Sequence, residues 1–339
     1  MVKDMARDIK YSTFVLEAIK ITLFCLITTV IVKLLGANDN TILVILNMAV
    51  MSCAASFYPE KLDIKHTLSS SLVIISSVLF GGILGYYYPS LVAIVTIVYA
   101  ASSILIPRTR HYMATFSVGA VVFYVFAALP FDIHLALTYL QYSGVIIITL
   151  VILTYFLDKI IYEGQTYASL GISQGNYPMA FTMVLSMTGA TIAVFLLHKY
   201  TNVDHLYWVG LTVLVVIQGT KHQTIKTALL RISVNIVGAL IVVLLFTYGM
   251  PQIFWLNFIL LVTFMFFIFA LGYSYVLRVL FIELFVLSIT HLLGGYFNYV
   301  AFDRMTLTLI GGLLVIIAVL ITNFAITIMR QYWPEITNS

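Results

Sequence analysis

Apolar runs of about 17–25 residues, the length that carries a helix across a bilayer, recur from one end of this 339-residue chain to the other. That recurrence constrains the fold more than any motif does. Hydrophobic residues make up 62% of the chain and charged residues 9%, against about 25% charged in soluble domains. Mean hydropathy is +1.08. A soluble interior cannot enclose so much apolar surface, whereas lipid accepts it. Backbone N–H and C=O groups in lipid must bond within their own segment, so the runs are expected to be helices. A transmembrane β-barrel would show short alternating segments instead, and none is evident.

The expected fold class is therefore all-α: a polytopic membrane protein of about twelve transmembrane helices. Spans are predicted at 14–35, 41–58, 67–88, 90–106, 112–129, 138–161, 178–198, 205–219, 226–248, 253–271, 273–294 and 305–328. Phe14–Leu35 follows Lys3, Arg7 and Lys10 as a signal peptide would. It is longer than a signal-peptide core and ends without a small-residue cleavage site, so it reads as a retained span. The resulting organisation is an N-terminal arm (1–13), a first six-helix half (14–161), a connection (162–177), a second six-helix half (178–328) and a tail (329–339). The connection, YEGQTYASLGISQGNY, is polar and sits at the chain's midpoint. No span-free stretch is long enough for a soluble domain.

Basic residues set the orientation. With a cytoplasmic N-terminus, the inner loops hold Lys3, Arg7, Lys10, Lys61, Lys65, Arg108, Arg110, Lys159, Lys221, Lys226 and Arg330. The outer ends hold only Lys33, Lys199 and Arg304, and Lys20, Arg231 and Arg278 fall within spans. This bias predicts a multi-pass protein of the cytoplasmic membrane with both termini cytoplasmic. The halves also resemble each other. IKHTLSSSLVIISSVLFGGILGYYYP (Ile64–Pro89) and IKTALLRISVNIVGALIVVLLFTYGMP (Ile225–Pro251) each follow a short apolar span and a lysine-bearing loop. Six spans per half is an even number, so the repeats are expected to be parallel, related by an axis along the membrane normal.

Several function classes drop out. The net charge of +4 is not gathered into a basic stripe, which argues against nucleic acid as a partner. No Walker motif, nucleophile elbow or phosphate-cradling glycine loop is present, so neither an enzyme nor an ATP-driven pump is expected, and no cofactor. Cys25 and Cys53 lie in apolar runs and read as small core residues. His111, His198, His205, His222 and His291 show no metal-ligand spacing.

At residues 206–238 the run LYWVGLTVLVVIQGT, a short basic loop, and RISVNIVG resemble the fusaric-acid-resistance-like family, the aromatic acid exporters. The family's pattern falls on Trp208, Leu211, Thr212, Gln218, Arg231 and Gly238. Val234-Asn235 stands where the family often has Gly-Thr, and the sizeable cytosolic region of large members has no counterpart here beyond 162–177. The resemblance implies export of organic anions, typically aromatic carboxylates, driven by the proton gradient. The plant aluminium-activated malate channels look distantly similar, which implies a passive anion pathway as the rival.

Ionisable groups within spans are costly and mark candidate sites. Glu17 and Lys20 share a face of the first span at i,i+3 spacing; a local pair snorkelling to the interface is the plain alternative. Arg231 and Arg278 each lie about five residues, roughly 8 Å, into helices that start on the cytoplasmic side. With Lys20 they are expected to form a cationic vestibule, since a guanidinium grips a carboxylate through two parallel hydrogen bonds; snorkelling to lipid phosphate is again the alternative. Glu283 lies about ten residues into its span, roughly 15 Å deep. A carboxyl there is protonated unless paired or hydrated, so Glu283, with Glu17, is the candidate for proton coupling; a protonated structural carboxyl is the alternative. Thr290 shares its helix face, and His291 is close to it.

The second and eighth spans are short and occupy corresponding places in the two halves, a pointer to a central site. Gln218 and Thr212 on one, and Asn47 and Ser52 on the other, are expected to line it. Gly81 and Gly85 suit close helix packing, and Tyr86, Tyr87 and Tyr88 read as an interfacial belt.

The expected function is proton-coupled export of organic or aromatic carboxylate anions, with a small organic anion and protons as ligands and the bilayer as solvent. An uncoupled anion channel and a non-transport membrane scaffold or accessory subunit are the rivals. The orientation makes a first prediction. A reporter enzyme active only outside the cytoplasmic membrane stays silent when fused after Ser339 and is active when fused near Thr201. The reverse pattern would overturn the topology.

Overall fold

The computed structural model describes residues 18–19, 21–38, 41–50 (except 43, 44 and 47), 64–105, 110–128, 133–161, 177–201, 203, 205–217, 221–270, 275–292 and 297–332. The regular structure among them is α-helix throughout. We label α1 (Ile21–Leu34) and α2 (helical residues within 41–50). There follow α3 (Ile64–Tyr87), α4 (Pro89–Leu105), α5 (Arg110–Ala128), α6 (Ile133–Ile161), α7 (Tyr177–Tyr200) and α8 (Tyr207–Val216). The chain continues through α9 (Lys221–Thr247), α10 (Gln252–Ala270), α11 (Tyr275–Leu292) and α12 (Phe297–Tyr332).

Four stretches are long and apolar enough to cross a bilayer unaided: Leu68–Tyr87, Phe181–Tyr200, Lys221–Thr247 and Val300–Met329. Other apolar helices, such as Pro89–Ser102, Leu137–Leu153 and Tyr207–Val216, are shorter among the described residues. Their surfaces agree with a lipid setting. On α9, Leu229, Val237, Leu240 and Leu244 are exposed, and on α12 so are Leu309, Leu313, Ile317, Leu320 and Phe324. Such stripes at helical spacing exceed what a water-soluble surface carries without a partner.

Helix α3 packs on α5, α4 and α6, while α9 packs on α11 and α12, and α10 on α11. The α3–α5 contact depends on glycine. A Cβ at Gly81 would strike the backbone of Phe123, and one at Gly85 the backbone of Ala127. The GxxxG spacing thus brings two helix backbones together, the contact that holds helices in lipid when no hydrophobic force separates protein from solvent.

Two apolar clusters form the interior. One joins α1, α2, α3, α6, α10 and α11 with Val122 of α5, Ala239 and Val242 of α9 and Ala301 of α12. The other joins α5, α7 and α8 with Ala100 of α4, Ala228 of α9, and Leu307, Val315 and Val319 of α12. Along α9 the clusters change over between Ala228 and Ala239, and along α12 between Ala301 and Leu307. Those intervals hold Arg231, Asn235, Gly238 and Arg304, so a polar seam lies between the apolar bodies.

The glycine contact can be tested directly. Gly85→Ile overpacks the α3–α5 crossing and is expected to cost about 1–3 kcal/mol, read as a lower unfolding midpoint in detergent. Gly144→Ala, whose Cβ meets nothing within 4 Å, should leave the midpoint unchanged or raise it.

Candidate functional site

The seam is built from one face of α9. Thr224, Ala228, Arg231, Asn235, Gly238 and Val242 recur at intervals of three and four residues and are buried, as expected of a stripe turned inward. Asn235 Nδ2 donates to Thr308 Oγ1 of α12 at 3.0 Å. Gly312 of α12 faces Ile232. Residue numbers rise on one helix as they fall on the other, so α9 and α12 run antiparallel. Helix α8 runs the same way as α12, with Trp208 at Arg304 and Thr212 at Gly311.

At one end of the seam, Arg304 Nε donates to Glu283 Oε2 at 2.6 Å. The pair is sealed, with Arg304 2% and Glu283 0% exposed. Trp208 covers the guanidinium, its ring centre 3.9 Å from Arg304 Cζ, close enough for the ring's negative face to attract the cation. Gly238 makes room for the carboxylate, since a Cβ there would come within 2.9 Å of Glu283 Cγ. Two charges in a dry interior repay their desolvation only through good geometry and full hydrogen bonding. This pair is incomplete. Glu283 Oε1 and Arg304 Nη1 have no hydrogen-bond partner among the described residues.

One turn from Asn235, away from Glu283, lies Arg231. It is 3% exposed, and its Nε has no partner among the described residues. Asn235 Oδ1 is buried and unpartnered as well. From the Asn235–Thr308 contact, Arg231 lies four residues along α9 in one direction and Arg304 four residues along α12 in the other. At 1.5 Å per residue, the two cations sit at levels roughly 12 Å apart.

The sequence-predicted site residues divide accordingly. Glu283 and Arg231 lie on the seam. Thr212 is 1% exposed beside Gly311, with its hydroxyl donating to the Trp208 carbonyl at 2.9 Å. Arg278 does not join them: its side chain is exposed, and its guanidinium lies 5.7 Å from the Tyr275 ring centre. Glu17, Lys20, Asn47, Ser52 and Gln218 fall outside the described residues, as do the side chains of Thr290 and His291. Among the described residues, no His, Cys, Asp and Glu group is placed to hold a metal.

Arg304 is the residue that sequence reasoning missed. Asp303 and Arg304 interrupt the apolar run, so the predicted span begins at 305 and leaves Arg304 at an outer end. In the structure α12 begins at Phe297 and Arg304 lies inside it. The spacing of Phe297, Val300, Ala301 and Met305 was the available signal, because it continues the helix's apolar stripe through the charges. Helix α8 is likewise shorter than its predicted span. It ends at Val216, where Ile217 turns extended at φ −68° and ψ 117°. His205, just before the helix, takes the left-handed φ of 57°, and the Trp208 N–H donates to its carbonyl at 3.0 Å.

A crevice of about 470 Å³ is lined by Lys221, Leu320, Asn323, Phe324 and Thr327. Thr308 and Asn323 are fifteen residues apart, roughly 22 Å along α12, so this crevice is separate from the pair.

The pair predicts a stability pattern. Arg304→Met leaves a buried carboxylate alone and is expected to cost about 3–5 kcal/mol, whereas adding Glu283→Gln recovers most of it. Unfolding midpoints of the single and double variants in detergent measure this; equal midpoints would show the pair to be energetically idle.

No curated protein and no solved structure matches the chain. The family model described as fusaric acid resistance protein-like matches residues 189–318, which include α8, α9, α11 and the part of α12 that carries Arg304 and Thr308. The region that builds the seam is thus similar to the fusaric acid resistance protein-like family, and its apolar helices mark the chain as a multi-pass membrane protein.

Proposed function

We propose that the chain crosses the cytoplasmic membrane twelve times, as two parallel six-helix halves with both ends cytoplasmic, and exports organic carboxylate anions, aromatic ones among them, coupled to protons. The observation that carries this is Arg231, a buried cation with no anionic partner among the described residues, in a region matched to a resistance-type family. A cation kept dry among apolar helices is costly unless an anion or water meets it. A carboxylate entering from the cytosol supplies that charge.

Helix pairing supports the two-half arrangement. The contacts α3–α5, α4–α5 and α3–α6 recur six helices on as α9–α11, α10–α11 and α9–α12. That recurrence is what supports the proposed divisions 14–161 and 178–328. On this orientation α9 rises from the cytoplasm, so Arg231 is the inner cation and Arg304 the outer one.

Proton coupling falls to Glu283. While ionised it holds Arg304 under Trp208 and closes the outer end. A proton arriving from outside neutralises the carboxylate, removes the attraction and frees Arg304. Glu17, Lys20 and Gln218 belong to the inner approach in this reading, and Arg278, stacked on Tyr275, to the cytoplasmic interface.

The test is flux of benzoate and 4-hydroxybenzoate in proteoliposomes. A hydrogen bond to a charged group is worth about 1.5–3 kcal/mol, so Arg231→Gln is expected to weaken apparent affinity roughly 10- to 100-fold. Glu283→Gln should abolish uphill flux driven by a proton gradient while leaving anion exchange. Downhill flux alone, equal in wild type and Glu283→Gln, would establish a channel. Flux of no anion would leave a non-transport role.

A further inference from the structure

We propose that Arg304 beneath Trp208 is a second anion station, occupied at rest by the protein's own Glu283, and that protonating Glu283 hands Arg304 to a substrate carboxylate leaving Arg231. This rests on the anion-transport reading above.

Four observations carry it. The ion pair uses one bond, from Nε, where a guanidinium offers a carboxylate two parallel ones. Arg304 Nη1 therefore remains a buried donor with no partner among the described residues, and such a donor forfeits its hydration without return. Second, the Trp208 ring faces the guanidinium at 3.9 Å, so a cation–ring attraction remains at the station when the bond to Glu283 is lost. Third, the Arg231 and Arg304 levels lie roughly 12 Å apart, farther than one benzoate-sized carboxylate spans. Asn235 and Thr308 lie between them, with Asn235 Oδ1 unpartnered among the described residues. Fourth, charge balance excludes a second anion while the carboxylate stays ionised. Glu283 and Arg304 sum to zero, and an added carboxylate would leave a net negative charge in a dry site. One proton taken onto Glu283 restores neutrality.

Few other charges bear on Glu283. Across the seam, α9 contributes Arg231, and α12 contributes Asp303 beside Arg304. Tyr207 and His205 stand at the start of α8. Helix α10 carries no ionisable residue, and α11 adds Arg278 and, two turns on, His291. The sign follows from proton uptake. The station binds anions more tightly as pH falls, by at most tenfold per pH unit when one proton accompanies each anion.

The test uses the full-length protein with Trp255→Phe and Trp333→Phe, leaving Trp208 as its sole tryptophan. The probe is cyclohexanecarboxylate, which does not absorb where tryptophan does. We expect a saturable change in Trp208 emission whose midpoint tightens by up to about tenfold per pH unit from pH 8 to 5. Glu283→Gln should bind at every pH as wild type does at pH 5. Glu283→Gln with Arg304→Gln, a neutral pair that folds without a stranded charge, should lose the response. A midpoint independent of pH in the wild type, or a response surviving in the double variant, would overturn the proposal. Arg231→Gln separates this inference from the reading beneath it. If Trp208 responds but no variant or wild type carries flux, the station stands and transport fails. If flux depends on Arg231 while Trp208 is silent to the probe, transport stands and the station fails.

Discussion

The second half of this protein is organised around one short hydrogen bond in a dry place, from Arg304 Nε to Glu283 Oε2. An ion pair without water is stable only where its surroundings are fixed, because either partner alone is a stranded charge. Four helices supply that fixing. Helix α9 contributes the space of Gly238, α8 contributes the Trp208 ring, and α12 and α11 contribute the charges themselves. Truncating any one of these side chains, or adding a Cβ at the glycine, acts on all of them. The family-like tryptophan and glycine of the sequence thus serve one object, an arginine that the same sequence stretch does not contain.

Polar side chains inside the helices are met in different ways. Most hydroxyls are spent locally. Thr22, Thr29, Ser77, Ser186, Thr188, Thr212, Ser233 and Thr263 each donate to the carbonyl four residues earlier. This back-bonding lets hydroxyls sit in apolar helices without a partner elsewhere. Asn323 back-bonds to the Val319 carbonyl in the same way at 2.7 Å, whereas the buried charges, and Asn235, are not satisfied by it. Arg231, Asn235, Glu283 and Arg304 retain atoms unpaired among the described residues, and they lie along the seam between the two apolar clusters.

Hydropathy made the helical fold legible, since only helices answer so long a series of apolar runs. The i,i+4 glycines of α3 gave its close contact with α5. That Glu283 and Arg231 lie within helices could also be read, because both fall inside apolar runs, and both are buried. What stayed hidden was lateral position. The predicted spans put Arg231 and Arg278 equally far into their helices, yet one turns inward to α12 and the other outward over Tyr275. Depth alone cannot say which face of a helix meets a neighbour when the whole surface is apolar. Arg304 was lost for a related reason. Span limits drawn from charge place an arginine in water, whereas a carboxylate on the next helix lets it stay inside.

Helix α8 is ten residues long, about 15 Å, or half the thickness of a hydrocarbon core. Ile217 continues from it in an extended conformation, and its side chain is buried. At Ile217 the backbone leaves the i→i−4 ladder, and hydrocarbon has neither donor nor acceptor to offer the groups released. Within the membrane, such a break is stable only against protein or water. The end of α8 therefore locates, by the needs of the main chain alone, a patch of this protein where oil is not the solvent.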